Sequence, residues 1–296
     1  MSGGALLALG AYTLWGFLPL YLRLLGATSA LEVVCHRVVW SFVIVALYLA
    51  ARGRLQPLAR QINRHHAAIY AGAAVLVSAN WGTFIWAVDS GRTIEASLGY
   101  FLTPVLSVLL GAIFVRERLA PLQYLAVAIA AAGAAYVCFV SPHFPWIAFV
   151  LAATFGTYGL VKKQAPLPAA EGLALETLLL FLPATLALAV LAGQGRLAFV
   201  NVSRGLDLLL MGAGFVTLVP LILFAAAARR ITLATLGMIQ YVTPTLQFLV
   251  GVFVFGEPLG QARLLGFAVV WTGLALYSFG LLRQEKARLT PAARAQ

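Results

Sequence analysis

The chain has 296 residues, 62% of them hydrophobic and only 10% charged, with a mean hydropathy of +0.95 and a net charge of +11. That leaves too little polar surface to cover a water-soluble globule. The basic residues sit in short loops between apolar runs, which is the pattern of membrane orientation and not of nucleic-acid binding.

Apolar runs of about 18 to 22 residues recur from end to end, each long enough to cross a roughly 30 Å hydrocarbon core. They lack the ten-residue alternation of a transmembrane barrel strand. The fold class expected is an all-α polytopic membrane protein of ten transmembrane helices. These are predicted at 4–25, 31–51, 67–88, 95–115, 120–140, 144–162, 171–193, 206–228, 233–255 and 262–282, followed by a polar tail from Arg283 to Gln296. The longest loop, Arg52 to His66, is too short for a soluble domain. Cys35 and Cys138 have no C-x-x-C spacing and no histidine cluster nearby, so neither a metal site nor a cofactor is expected.

Helix 1 opens without Lys or Arg, unlike a signal peptide, and is expected to belong to the mature protein. It sets Tyr12, Trp15, Gly16 and Pro19 along one side. Helix 2 begins Glu32-Val33-Val34-Cys35-His36-Arg37, placing His36 and Arg37 one to two turns inside the boundary. An ionisable residue at that depth is a functional candidate that needs a partner. Glu95 is the first choice for Arg37; Glu32 or a reach to lipid headgroups are the alternatives. Helix 3 carries Asn80, Trp81, Phe84 and Trp86. Helix 4 aligns Ser97, Tyr100, Pro104, Ser107 and Gly111 at steps of three or four, on one face. Helix 7 carries Glu176, another intramembrane carboxylate. Helix 9 repeats the stripe with Gln240, Pro244, Gln247 and Gly251.

The second stripe is part of a larger self-similarity. A shift of 140 positions carries Thr103-Pro104 onto Thr243-Pro244, Gly111 onto Gly251, Glu117 onto Glu257 and Gly133 onto Gly273. The chain therefore reads as two units, 1–141 and 142–282, with the tail 283–296 outside both. Five helices per unit is an odd number, so the second unit enters the membrane from the opposite side and the repeats are inverted. Fourteen Lys and Arg fall on the side of the 52–66 loop, Lys162 and Lys163 among them, against six on the other; both termini are expected in the cytoplasm.

Hydroxyls and amides in hydrocarbon seek partners or water, so the stripes are expected to line a central cavity. The candidate substrate-binding residues are Tyr12, Trp15, Asn80, Trp81, Tyr100, Ser107, Gln240, Tyr241 and Gln247. His36, Arg37, Glu95 and Glu176 are candidates for gating or ion pairing, and Pro104 and Pro244 for paired helix kinks. Glu117 and Glu257 are expected to cap the helices that follow them.

The WGFLPLY segment at Trp15–Tyr21, the Glu32…His36-Arg37…Trp40-Ser41 run, NW..FIWAV at Asn80–Val88 and EASLGYF..P at Glu95–Pro104 bring a family into view. With the paired five-helix units, the chain resembles the drug/metabolite transporter superfamily, its EamA-type transporters and, within them, the RarD branch. That resemblance implies a central cavity between inverted repeats and movement of a small organic metabolite or drug across a bacterial inner membrane.

The expected function is therefore secondary transport by alternating access, with lipid bilayer and a small solute as partners. An intramembrane enzyme, or a channel or scaffold, are the alternatives. No metal-protease, nucleophile-elbow or Walker A motif is present. Proton coupling through Glu95, Glu176 or His36 and facilitated diffusion both fit these residues.

Overall fold

In the computed structural model the described residues are 2–26, 28–90, 93–139, 144–256 and 261–289. Among them every regular element is an α-helix. In chain order these are α1 (Gly3–Gly16), α2 (Leu18–Leu24), α3 (Ala30–Ala51), α4 (Leu55–Gln61), α5 (Arg64–Asp89), α6 (Thr93–Phe114) and α7 (Pro121–Phe139). There follow α8 (Trp146–Gln164), α9 (Ala169–Gly193), α10 (Arg204–Ala228), α11 (Leu233–Gln240), α12 (Val242–Phe253) and α13 (Gln261–Leu289).

Several N-termini carry their own caps. Side chains of Ser2, Ser29, Ser203 and Thr232 accept from Ala5, Glu32, Leu206 and Thr235 N–H groups, which the helix leaves without internal partners. Gln123 Oε1 does the same for the Ala120 N–H ahead of α7, at 2.9 Å.

The helices fall where the hydrophobic runs place them, with four differences. The first run is split at Phe17 and the ninth at Tyr241, each just ahead of a proline. The 52–66 loop folds into α4, and the last helix runs on to Leu289, past the expected tail boundary at Arg283. Among the described residues, eight helical spans are long and apolar enough to cross a membrane. Gly99–Phe114 is apolar but shorter, and α8 is not among the eight, since it ends in Lys162, Lys163 and Gln164.

Leu47, Leu182, Leu208, Phe215 and Phe253 are all exposed, and a belt of such residues requires lipid in place of water. Inside, α3 packs on α9 and α10, and α1 packs on α10, α11 and α12. Helix α8 packs on α5 and α6, and α7 pairs lengthwise with α13. Small residues permit the last contact. A Cβ on Gly273 would lie 2.7 Å from the Ala126 carbonyl oxygen and 2.9 Å from the Ala130 nitrogen.

Those are backbone atoms and cannot turn aside as a side chain can. Gly273→Ala is therefore expected to destabilise the detergent-solubilised protein by roughly 1–3 kcal/mol, read as a lower Tm. Gly72→Ala, with nothing within 4 Å of the new Cβ, should be neutral or slightly stabilising.

Candidate functional site

A partly open cavity of about 240 Å³ lies where α1, α2, α3, α5, α6, α8, α10, α11 and α12 converge. The chain leaves room there because two helices are interrupted. Pro19 has no N–H for the Trp15 carbonyl and its ring crowds that oxygen, so α1 stops at Gly16. The freed carbonyl accepts from Gln247 Nε2 at 3.2 Å. Pro244 acts in the same way on the Gln240 carbonyl, and the ninth run breaks at Tyr241. Thr243 Oγ1 donates to the Tyr12 carbonyl at 2.9 Å, and Gly16 lies against Leu246, which would meet a Cβ there at 2.7 Å. The two interruptions are thus bonded to each other.

Most of the lining comes from one half of the bundle's depth, with Leu221 of α10 reaching it from beyond that half. It takes the end of the first run, the start of α3, the end of α5, and the starts of α6 and α8. Its floor is aromatic. Tyr12, Trp15 and Phe155 meet Phe224 at centroid distances of 6.1, 5.8 and 5.4 Å, and Tyr158 stacks on Phe224 at 5.9 Å. Such pairs add about 0.5–1.5 kcal/mol each beyond area burial.

Beneath that floor the bundle is closed by charge. Lys162 Nζ lies 2.6 Å from Glu176 Oε1, and both side chains are 2% exposed. Tyr158 donates to Glu176 Oε2 at 3.0 Å, and the Tyr70 and Tyr158 rings each lie 5.6 Å from the ammonium. Around this pair, Arg229 Nη1 donates to the Leu167 carbonyl at 2.5 Å and Arg54 pairs with Glu171 at 2.9 Å. Glu117 accepts from Leu233 and Ala234 N–H at 2.8 and 3.2 Å, with Lys163 Nζ at 3.4 Å.

The other end is braced by Glu32, which accepts from the Ala198 and Phe199 N–H groups at 2.9 to 3.1 Å. Its Oε1 lies 3.9 Å from His36 Nε2, while Trp40 Nε1 donates to His36 Nδ1 at 3.2 Å. Arg37 lines the cavity: its Nε donates to Thr217 Oγ1 at 2.8 Å and its guanidinium lies 4.9 Å from the Trp81 ring centroid.

Of the residues expected to bind a solute, Tyr12, Trp15, Asn80, Trp81, Tyr100, Gln240 and Gln247 line this cavity. Ser107 and Tyr241 do not. Ser107 packs against the α11 backbone at Gly237, and the Tyr241 hydroxyl donates to the Phe101 carbonyl at 3.1 Å. Asn80 also holds α5 to α8, its amide nitrogen donating to the Leu151 carbonyl and to Thr154 Oγ1, each at 3.0 Å. Helix α6 runs unbroken through Pro104, whereas Pro244 follows a break.

Among the gating candidates, His36 faces Phe199 and Trp40, away from the cavity. Glu176 is ion-paired, but with Lys162. The Glu95 side chain and Glu257 lie outside the described residues. Glu32 is not the partner of Arg37, being held by the 198–199 backbone. Glu117 caps α11, a helix distant in sequence, and not the helix that follows it. Lys162, counted among the cations of the 52–66 side, is buried in α8. Its signal was the i, i+4 spacing to Tyr158, which puts both on one helix face. Thr217 was missed as well; it stands one helical step from Gly214 on α10, a glycine packed against Trp40.

The model of the EamA-like transporter family matches residues 2–139. An uncharacterized transporter of Pseudomonas aeruginosa is 42% identical over 95% of this chain and 94% of its own. Protein RarD of Escherichia coli is 39% identical over 93% of each, and a protein of Pseudomonas aeruginosa named chloramphenicol-sensitive protein RarD is 36% identical over 96% of this chain and 97% of its own. A crystal structure with 20% sequence identity superposes with a TM-score of 0.72, over 94% of this chain and 98% of that one.

The buried pair at the closed end makes a stability prediction. Glu176→Gln leaves the Lys162 ammonium without its countercharge and should lower stability by about 3–5 kcal/mol. Replacing both residues with Lys162→Met and Glu176→Leu should recover most of that, as read by thermal unfolding in detergent. A single variant as stable as the parent would remove the pair from any sealing role.

Proposed function

This chain belongs to the EamA-like transporter family, as a membrane transporter of the RarD type, and from that membership we propose a secondary exporter of a small organic solute that works by alternating access. The observation that carries the proposal is the cavity's position in one half of the bundle's depth, over a floor of stacked aromatics and a sealed, ion-paired end. That is the shape expected of one extreme of an alternating cycle.

Two units of five helices supply the moving parts in this reading, and the packing supports it. Helix α1 rests on α10, α11 and α12 as α8 rests on α5 and α6. Arg116 and Gly256, 140 positions apart, both take left-handed φ (56° and 69°) just past the fourth and ninth runs. Phe101 and Tyr241, at the same offset, are bonded directly. The excess of Lys and Arg at the Lys162 end supports a cytoplasmic placement for that end and for both termini, with the cavity then facing out. ATP hydrolysis has no motif here, so the driving force in this proposal is the solute gradient or a coupled proton.

The test has two parts. Cysteines placed singly at Tyr100 and Gln240, in a background with Cys35 and Cys138 replaced, should react with a membrane-impermeant maleimide added outside intact cells. Reaction only after the cytoplasmic side is exposed would reverse the orientation. Metabolite profiling of media from cells with and without the protein should identify a solute that accumulates outside. In proteoliposomes its flux should saturate and show counterflow; linear flux without counterflow would make the protein a channel.

A further inference from the structure

The cavity's described lining contains one charged side chain, Arg37, and no carboxylate. Arginine stays protonated at physiological pH, so the cavity carries a fixed positive charge at membrane depth. Two features of that guanidinium already have partners: Nε with Thr217, and one face with Trp81. Its terminal nitrogens have no acceptor among the described residues. The described carboxylates nearby are occupied elsewhere, Glu32 by the 198–199 backbone and Glu176 by Lys162 and Tyr158, while the Glu95 side chain lies outside the described residues.

A second group in the same lining also lacks a partner. The Tyr12 hydroxyl is buried with no hydrogen-bond partner among the described residues, in a side chain that is 1% exposed. A buried donor left so costs about 1–3 kcal/mol, which an arriving acceptor would recover. The walls between are flat and apolar, formed by Trp15, Trp81, Phe84 and Phe155. At about 240 Å³ the space falls below the roughly 300–1,000 Å³ of drug-sized sites and is far too small for a phospholipid.

Resting on the reading of this cavity as the solute site, we infer that the transported solute is a small organic carboxylate with a flat apolar body. Its carboxylate docks on the terminal nitrogens of Arg37, whose planar fork matches a carboxylate edge. Thr217 and Trp81 hold the guanidinium so that the fork points at the solute and not at the helix surface. The apolar body lies against the aromatic walls. A neutral analogue of equal size meets the same walls but leaves the arginine charge uncompensated.

The experiment uses the full chain purified in a nonionic detergent free of anionic lipid. Binding is read by quenching of Trp fluorescence, since Trp15 and Trp81 line the cavity, and by the shift in Tm. The probes are benzoate and indole-3-carboxylate, their neutral amides benzamide and indole-3-carboxamide, and inorganic phosphate. The expected result is saturable binding of the acids at least tenfold tighter than of their amides, with phosphate failing to compete. Arg37→Gln should abolish the preference for acid over amide, and Arg37→Lys should keep the preference while weakening acid binding about tenfold. Equal binding of acid and amide, or no binding of either acid, overturns the proposal. So does a preference that survives Arg37→Gln, and phosphate competing as well as benzoate reassigns the charge to a phosphate site. The comparison of acid with amide needs no variant, so it stands even if Arg37→Gln does not fold. Counterflow in proteoliposomes is read separately. Counterflow of a solute by a protein with no acid preference sinks the carboxylate site and leaves transport; selective acid binding without counterflow does the reverse.

Discussion

Hydrocarbon offers no hydrogen bonds, so every carbonyl or N–H that a helix releases must find its partner inside the protein. In this chain that constraint decides which helices touch. Pro19 releases the Trp15 carbonyl, and Gln247 from α12 takes it. The first N–H groups of α11 would be bare at its start, and Glu117 reaches them from the end of α6. Lys163 Nζ lies 2.6 Å from the Ile231 carbonyl in the turn before α11, and the Tyr21 hydroxyl donates to the Leu209 carbonyl. All of these but the Lys163 bond join segments from opposite halves of the chain. The cavity is what lies between the helices so joined, at the level where α1 and α11 are both interrupted.

Much of this was readable in the sequence. Helix positions follow from apolar run length, and single residues marked on the first, third, fourth and ninth runs line one cavity. Periodicity gives the face of a helix, however, and not its neighbour. Ser107 and Tyr241 lie on the right helices, but a close crossing at Gly237 takes Ser107 into the α6–α11 contact, and the Tyr241 hydroxyl finds the Phe101 carbonyl. Glu117 was misassigned for the same reason: the helix that follows in sequence is capped by its own Gln123, and the helix that lies beside it in space is α11.

Lys162 shows a different limit. A lysine two residues from a helix end reads as an interfacial anchor, because sequence gives no measure of depth when the following turn is short. Here residues 165–168 close that turn tightly, with Tyr70 accepting from the Leu167 N–H at 3.0 Å, and the last turn of α8 is drawn inward against α9. What would have marked Lys162 as buried is the company of Tyr158 one turn earlier and an intramembrane Glu176 with no other cation assigned to it.

The two ends of the bundle are built from different interactions, and the difference bears on how such a protein can change state. Glu32 holds backbone N–H groups that have no other acceptor, so releasing it would leave buried donors bare. The other end has a like brace in Glu117, which holds the Leu233 and Ala234 N–H groups, and adds to it a buried ion pair and stacked rings. A buried ion pair returns in Coulomb attraction roughly what it costs in desolvation, so its net contribution to the folded state is small. If water enters, Lys162 and Glu176 regain hydration as they lose each other, so the pair itself adds little to the free energy of opening. An apolar plug of equal volume would resist wetting throughout. A small gap of about 10 Å³ is lined by Arg37 and Thr217 together with Glu176 and Tyr158. That is at most about one water's space. The Arg37 charge and the Lys162–Glu176 pair are therefore near neighbours, and neutralising one changes the field at the other through a low-dielectric gap.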